Sequence, residues 1–451
     1  MKKSIFTILV MFMPMLAIAD PVEIDGILYN LVNKAKIAEV THPIDHGYEL
    51  TGELYIPSTV TYNGEEYNVT IIGNGAFSGT EITSVIIPEG VTKIDNDAFG
   101  ECRELKSITI PKSLVYVGKD AFGNDFSISS IYISSLEDWF NVEFISSMVQ
   151  SSLEETHFYL NGNLIQDVVI PENMTSIPNF LLSGFSDLRS IILHENVTSI
   201  GDGAFSGCSN LTSITIPDNI TSIGNGAFSG CSNLTSITIP DNITAISSAL
   251  FGGCSKLSSI SFSDEITSIE RWAFNGCSSL SSFVIPESVK SVDTGAFAAC
   301  TGLTSITIPK QIKDIKEYTY SGCTSLTSVT VECAYLRSIS ECAFADCTDL
   351  TDVYLYSEYV PVASQDAFKG SYAEYVTLHV PETLVEAYKT QEPWNLFMEI
   401  VPITDTAIRN AKTAQSAKAF YTLDGVQSDK PQKGINIIRT NEGKAKKVLV
   451  K

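Results

Sequence analysis

A unit of 23 residues is written over and over in this chain, and no other feature restricts its fold so strongly. Residues 205–227 read FSGCSNLTSITIPDNITSIGNGA, and the text restarts at Phe228 as FSGCSNLTSITIPDNITAI. Phe205, Phe228, Phe251, Phe274, Phe297 and Tyr320 follow one another at intervals of 23, and Phe344 and Phe368 at intervals of 24. Upstream, Phe77, Phe99 and Phe122 keep the beat. Leu182 takes the Phe position after a gap of 60 residues, which implies one or two lengthened coils. A period of this length marks stacked units, none of which can bury its apolar stripe alone.

The stripe itself is Leu211, Ile214, Ile216, Ile220, Ile223 and Phe228. The first three have the spacing L-x-x-L-x-L, which puts Ile214 and Ile216 on one side of an extended strand. Pro217 ends that strand because it has no N–H for a ladder. Ile220 and Ile223 carry the chain back across the far side, Gly224 and Gly226 allow a tight turn, and Ala227-Phe228 plugs the coil. Stacking makes the strands a parallel sheet, and burying each Leu, Ile or Phe contributes about 1.5–3 kcal/mol. Roughly thirteen strands at about 4.8 Å give a sheet on the order of 60 Å long. The fold class is therefore a repeat solenoid.

The unit LTSITIPDNITSIGNGAFSGCSN resembles the BspA-like subclass of leucine-rich repeats found on bacterial surface proteins. The likeness covers residues 71–400, about three quarters of the chain, through an IxIP…VTxIGxxAFxxC pattern. It implies a curved solenoid, and roles in adhesion or in host and community interaction. It implies no conserved active site and no cofactor. Leu182 and Tyr320 in place of Phe, and Phe185 in place of Cys, depart from the pattern.

The chain's two ends read differently. Lys2 and Lys3, an apolar stretch over 5–17 and Ala17-Ile18-Ala19 have the form of a signal peptide cleaved before Asp20. The stretch is too short for a spanning helix, and the first cysteine, Cys102, comes too late to take an N-terminal lipid. The expectation is a secreted or outer-surface protein with no membrane span. Residues 20–70 lack the beat and read as short strands at 24–32, 37–40, 50–56, 60–62 and 67–72, with a hairpin signal at Asn63-Gly64. An antiparallel cap over the first coil is their natural role, ahead of a solenoid at 71–402 with its lengthened coil at about 123–181. Trp139, Phe140 and Phe144 in that coil suggest a short amphipathic helix, and Tyr388, Trp394 and Phe397 suggest closure of the last coil. After a linker at 403–419, residues 420–451 alternate like a small β-unit with turns at Asp424-Gly425 and Glu442-Gly443. This tail resembles the C-terminal sorting tails of Bacteroidota surface proteins, with Asn436 where an aromatic is usual; an unrelated β-domain is the alternative. Asp405-Thr406-Ala407 resembles an O-glycosylation motif of the same bacteria.

Catalytic constellations are lacking in the text. Eight cysteines (Cys102, Cys208, Cys231, Cys254, Cys277, Cys300, Cys323 and Cys347) stand three residues after the repeat aromatic. Side chains in a ladder run parallel rather than toward one another, so buried free thiols are expected there. Cys333 and Cys342 lie off the ladder and are the better-placed pair for a disulfide. The pairs Gly73/Gly75 and Gly224/Gly226 mimic half of a dinucleotide loop but serve the coil turn, and sequons such as Asn219-Ile220-Thr221 recur for the same reason. His42 and His46 are near neighbours with no metal-ligand partner in the repeat. A formal charge of −23 excludes nucleic acid and anionic membranes as natural partners.

What remains is the row between the two strand isoleucines: Thr215, Thr238, Ser261, Thr307 and Thr330, flanked by Tyr132 and Tyr354 and broken by Ile86, Val169, Ile192 and Val284. From residue 190 to 255 there is no Lys or Arg. Such a row either suits a tightly stacked strand or offers a nearly uncharged contact surface to a protein or glycan. The sequence thus points to a surface binding protein, with a non-binding envelope scaffold as the alternative, and to no enzyme.

Overall fold

A computed structural model describes residues 20–42, 50–123, 127–148 and 156–403, together with four strands of the tail. The signal-like segment, His46, Asp405-Thr406-Ala407 and both tail turns lie outside the described residues. The chain is a β-solenoid of stacked coils in two compact units, Met1–Ser281 with Ser288–Gly302, and Ser282–Glu287 with Leu303–Lys451.

The first unit begins with an antiparallel meander, Val22–Ile24, Ile27–Val32 and Ile37–Thr41. Its first turn is Asp25-Gly26, with φ of 50° and 80°, the left-handed pair that a tight hairpin requires. A second hairpin, Thr59–Tyr62 with Glu65–Ile72, closes at Asn63-Gly64 with φ of 52° and 79°. The cap then merges into the solenoid. Glu65–Ile72 pairs in parallel with Lys93–Ile94, and Thr51–Tyr55 pairs in parallel with Glu81–Ile86. Segment 50–56, read from sequence as part of the cap, is thus the first strand of the front ladder.

Most coils have a front strand of three to six residues and a far strand of two, such as Ser199–Ile200 and Ser222–Ile223. Between them runs a column of rings: Phe205, Phe228, Phe251, Phe274 and Phe297 stack with centroids 5.2–5.9 Å apart. The turns tolerate little. A Cβ on Gly224 would lie 2.4 Å from the Asp202 main-chain nitrogen of the preceding coil.

The front ladder departs from the single long sheet that the repeat implies. Residues 211–217 adopt no strand, and the front of the first unit divides into a six-stranded sheet and the pairs Asp167–Val169 with Ser190–Ile192 and Ser236–Thr238 with Ser259–Ser261. The far strands, the rings and the turns already hold the coils in stack, so front bonds can lapse while Ile214 and Ile216 stay buried.

The lengthened coil solves a volume problem. Ser135 caps a four-residue helix, Leu136–Trp139, by accepting from the Asp138 N–H at 3.1 Å. Trp139 is buried against Phe144, Phe158 and Phe185, and its Nε1 donates to the Leu181 carbonyl at 2.8 Å. Phe185 lies 3.7 Å from Phe158, so the ring that replaces the repeat cysteine fills space opened by the longer loop.

The repeat cysteines are buried, and each thiol meets the coil behind it. The Sγ atoms of Cys231, Cys254, Cys277 and Cys300 donate to the carbonyls of Phe205, Phe228, Phe251 and Phe274 at 3.1–3.2 Å. Burial pushes the Cys254 thiol up to about 12 and those of Cys231 and Cys277 well above their usual range. Such thiols are protonated and unreactive. Cys333 and Cys342 are not joined: all ten cysteines are free, Cys333 buried and Cys342 half-exposed. An aromatic disulfide reagent should therefore label about one thiol, Cys342, in the folded protein and all ten after denaturation. A count well below ten in denaturant would show disulfides in the ladder.

In the cap, Asn30 and Glu39 face each other across a strand pair, and Asn30 Oδ1 has no partner among the described residues. Burial, opposed by the Asn30 hydrogen bond and helped by Asp95, raises the Glu39 carboxyl above its ordinary 4.5. A carboxyl raised in the folded state favours folding when protonated, and that contribution is lost as pH rises through the folded value. Glu39→Gln should raise the unfolding midpoint at pH 7, with the gain shrinking as pH falls toward 4.5. A Gln variant less stable than the parent at neutral pH would contradict this.

The second unit has a five-stranded front sheet, Ser305–Ile308, Ser328–Val331, Asp352–Leu355, Thr377–Val380 and Glu399–Pro402, all parallel. Its ring column, Tyr320, Phe344 and Phe368, stacks at 5.3 Å. Trp394, Phe397 and the helix Val385–Thr390, through Tyr388, close the end edge-on. The tail strands Ala419–Tyr421, Gln427–Ser428, Gly434–Arg439 and Ala445–Val450 form a separate antiparallel sheet.

Candidate functional site

Both units carry members of the outward row. In the first unit Thr215, Thr238 and Ser261 are exposed, each beside residues that point into the coil. Thr238 and Ser261 are direct register partners. A neighbouring row behaves differently: Thr235 Oγ1 donates to the Thr212 carbonyl at 3.4 Å, and Ser258 Oγ to the Thr235 carbonyl at 3.3 Å. Those hydroxyls serve stacking. The hydroxyls of Thr215, Thr238 and Ser261 have no hydrogen-bond partner among the described residues and are left to solvent or a ligand.

In the second unit Thr307, Thr330, Tyr354 and His379 are in register. Thr307 and Tyr354 are half-buried, and Thr330 is only 8% exposed. Thr330 therefore does not belong to an accessible row. A Tyr on the adjacent strand, about 4.8 Å away, shields the smaller side chain. Tyr354 itself stacks on His379 at 4.1 Å, and His379 Nε2 lies 2.8 Å from Asp352 Oδ1.

Tyr132 is exposed and stacks on Tyr159 at 4.9 Å. Parallel pairing aligns it with Thr109, Ile86 and Tyr55, so an aromatic and aliphatic segment precedes the hydroxyl segment of the row. Tyr55 and Tyr159 escape a reading from sequence, although Leu54-Tyr55-Ile56-Pro57 repeats the pattern of 214–217 and could have revealed the first of them.

Other candidate groups are engaged in the framework. The amide of Asn242 donates to the Asp218 carbonyl at 2.8 Å, and that of Asn219 bonds the Glu195 carbonyl, so these sequons serve stacking. His157 Nδ1 lies 2.6 Å from Asp187 Oδ2. His42 is exposed. Among the described residues no three His, Cys, Asp or Glu side chains are grouped to hold a metal, and no helix is long and apolar enough to cross a membrane.

The architecture has known counterparts. Among solved structures, the pneumococcal vaccine antigen PcpA is 15% identical, with 86% of this chain and 99% of that one covered and a TM-score of 0.52, which speaks for the fold alone. A leucine-rich cell surface protein of Faecalibacterium prausnitzii is 22% identical (87% and 97% covered, TM-score 0.49), and a leucine-rich-repeat protein of Bacteroides ovatus 24% (85% and 100%, TM-score 0.45). No curated protein matches the chain. The model of the BspA type leucine-rich repeat region matches residues 70–159, 151–281 and 273–389. With the 23-residue beat, the stacked parallel coils and that match together, the chain belongs to the BspA-type leucine-rich-repeat family.

Proposed function

We propose that the chain is an exported surface protein that binds or adheres to a protein or glycan ligand through its outward strand row. One observation carries this reading: the hydroxyls of Thr215, Thr238 and Ser261 have no partner within the described residues, while those of Thr235 and Ser258 beside them are engaged. Family membership and the signal-like N-terminus support the surface setting.

A ligand on this row would be held by many hydrogen bonds of about 0.5–1.5 kcal/mol each, so affinity builds with the number of coils engaged. With no Lys or Arg from 190 to 255, binding should depend only weakly on salt. A screen against glycans and matrix proteins supplies the ligand. Replacing Thr215, Thr238 and Ser261 with Lys should then weaken it about tenfold or more while leaving the unfolding midpoint in place. A ligand that binds the triple variant as tightly as the parent does not use this row. The engaged hydroxyls of Thr235, Ser258 and Thr327 favour a second reading, a passive spacer whose Ser and Thr serve only stacking. A screen in which nothing binds would select it.

A further inference from the structure

The outward row of the first unit begins with a surface unlike the hydroxyl segment. Tyr55, Ile86, Thr109, Tyr132 and Tyr159 sit on successive parallel strands in direct register, about 4.8 Å apart per step. Tyr55 is 74% exposed, Ile86 47% and Tyr132 37%. Tyr159 covers one face of the Tyr132 ring, at 4.9 Å, which leaves the other face turned toward Thr109. Thr109 is the short side chain of the line. Between Ile86 and Tyr132 the surface therefore drops into a slot two strand steps wide, on the order of 10 Å. The slot belongs to a groove of about 720 Å³.

Charge narrows the occupant. Among the described residues Glu89 is the one charged residue lining the groove, and its carboxylate accepts from the main-chain N–H groups of Lys112 and Ser113 at 3.1 and 3.3 Å. A groove without cations gives an anionic polymer no counter-charge, and the net charge of −23 opposes docking of a second copy. Strand alternation puts Ser84, Ser107 and Ser130 on the same outward side as Ile86, Thr109 and Tyr132. Their hydroxyls have no partner among the described residues. The main-chain groups of the interior strands are paired on both sides, so an extended peptide cannot add to the sheet here. A free ring face beside a line of uncharged hydroxyls, on a repeat close to the length of one sugar unit, is the chemistry that recognises a neutral pyranose chain.

We propose that this slot binds a neutral oligosaccharide, one pyranose ring stacking on the open face of Tyr132 above Thr109 and the chain's hydroxyls bonding the Ser84, Ser107 and Ser130 line. This rests on the reading of the chain as a binding protein, but not on the Thr215 to Ser261 row. The test is calorimetry on the full chain with cellohexaose, chitohexaose, hexagalacturonate and an uncharged Phe- and Leu-containing peptide. At least one neutral hexasaccharide should bind and hexagalacturonate should not. Tyr132→Ala should weaken binding about tenfold while Tyr132→Phe retains it. Thr109→Phe, which fills the slot and covers the open face of Tyr132, should abolish it, and Thr215→Lys with Thr238→Lys should change nothing. Binding of neither neutral hexasaccharide, binding of the peptide alone, or undiminished binding by Tyr132→Ala and Thr109→Phe would overturn the proposal. Hexasaccharide binding lost only in the Thr215/Thr238 variant would overturn the slot and leave the wider reading standing.

Discussion

Phe228→Ala should lower the stability of the chain by about 3–5 kcal/mol, the usual cost of truncating a fully buried aromatic side chain. Phe228 is fully buried and stacks on Phe205 at 5.4 Å and Phe251 at 5.9 Å, so its loss leaves a void between two coils at once. In a quasi-one-dimensional array the damage falls on the nearest interfaces, and urea unfolding should show a lower midpoint with local loosening of the adjoining coils. Cys231→Ala is the control. That side chain is equally buried, but it contributes a small volume and one weak S–H···O bond to the Phe205 carbonyl. It should cost far less. Equal costs for the two variants would mean that the ring column is not what holds successive coils together.

Trp394→Ala should be comparably severe, at about 3–5 kcal/mol, for a different reason. Trp394 is fully buried at the closed end of the second unit, edge-on to Phe368 at 6.1 Å and Tyr388 at 5.3 Å. Its Nε1 donates to the Pro361 carbonyl at 3.1 Å, and the truncated variant leaves that carbonyl without its donor. A terminal coil has a neighbour on one side only, so an uncapped end frays. Amide exchange should accelerate in Asp352–Leu355, Thr377–Val380 and Glu399–Pro402 while the coils around Phe228 keep their protection. Uniform acceleration along the whole chain would contradict an end-capping role.

Much of the fold is legible from residues alone because the information repeats. The Phe beat predicts a stacked column, the Pro after each strand predicts its end, and the small residue three after each Phe predicts a buried thiol. The ring column and the buried thiols hold through the regular coils from Phe205 to Phe297, whereas Ser134, His194, Ser263, Glu332 and Tyr356 stand where the proline would be. Aromatic closure by Tyr388, Trp394 and Phe397 was legible for a simpler reason: three rings outside the beat need somewhere to bury. The outward row was only half legible. Thr215, Thr238 and Ser261 are identical in kind from coil to coil and stand out, and Ile86, Thr109 and Tyr132 keep the 23-residue beat, whereas Tyr55 and Tyr159 stand 31 and 27 residues from their register partners and fall off it.

By itself, then, the sequence determined the coil, its period and which side chains enter the core, since these depend on alternation and spacing within about 23 residues. Tertiary structure alone decided everything that depends on which coil lies beside which. It aligned Tyr55 with Ile86 across the cap, buried Thr330 next to Tyr354, and brought Trp139 onto Phe185 over 46 positions of chain. It also allowed the front ladder to lapse at 211–217 while the far strands held. The physical reason is that a repeat encodes a stacking preference common to all coils, whereas exposure and ring contacts depend on the size of the particular neighbour about 4.8 Å away.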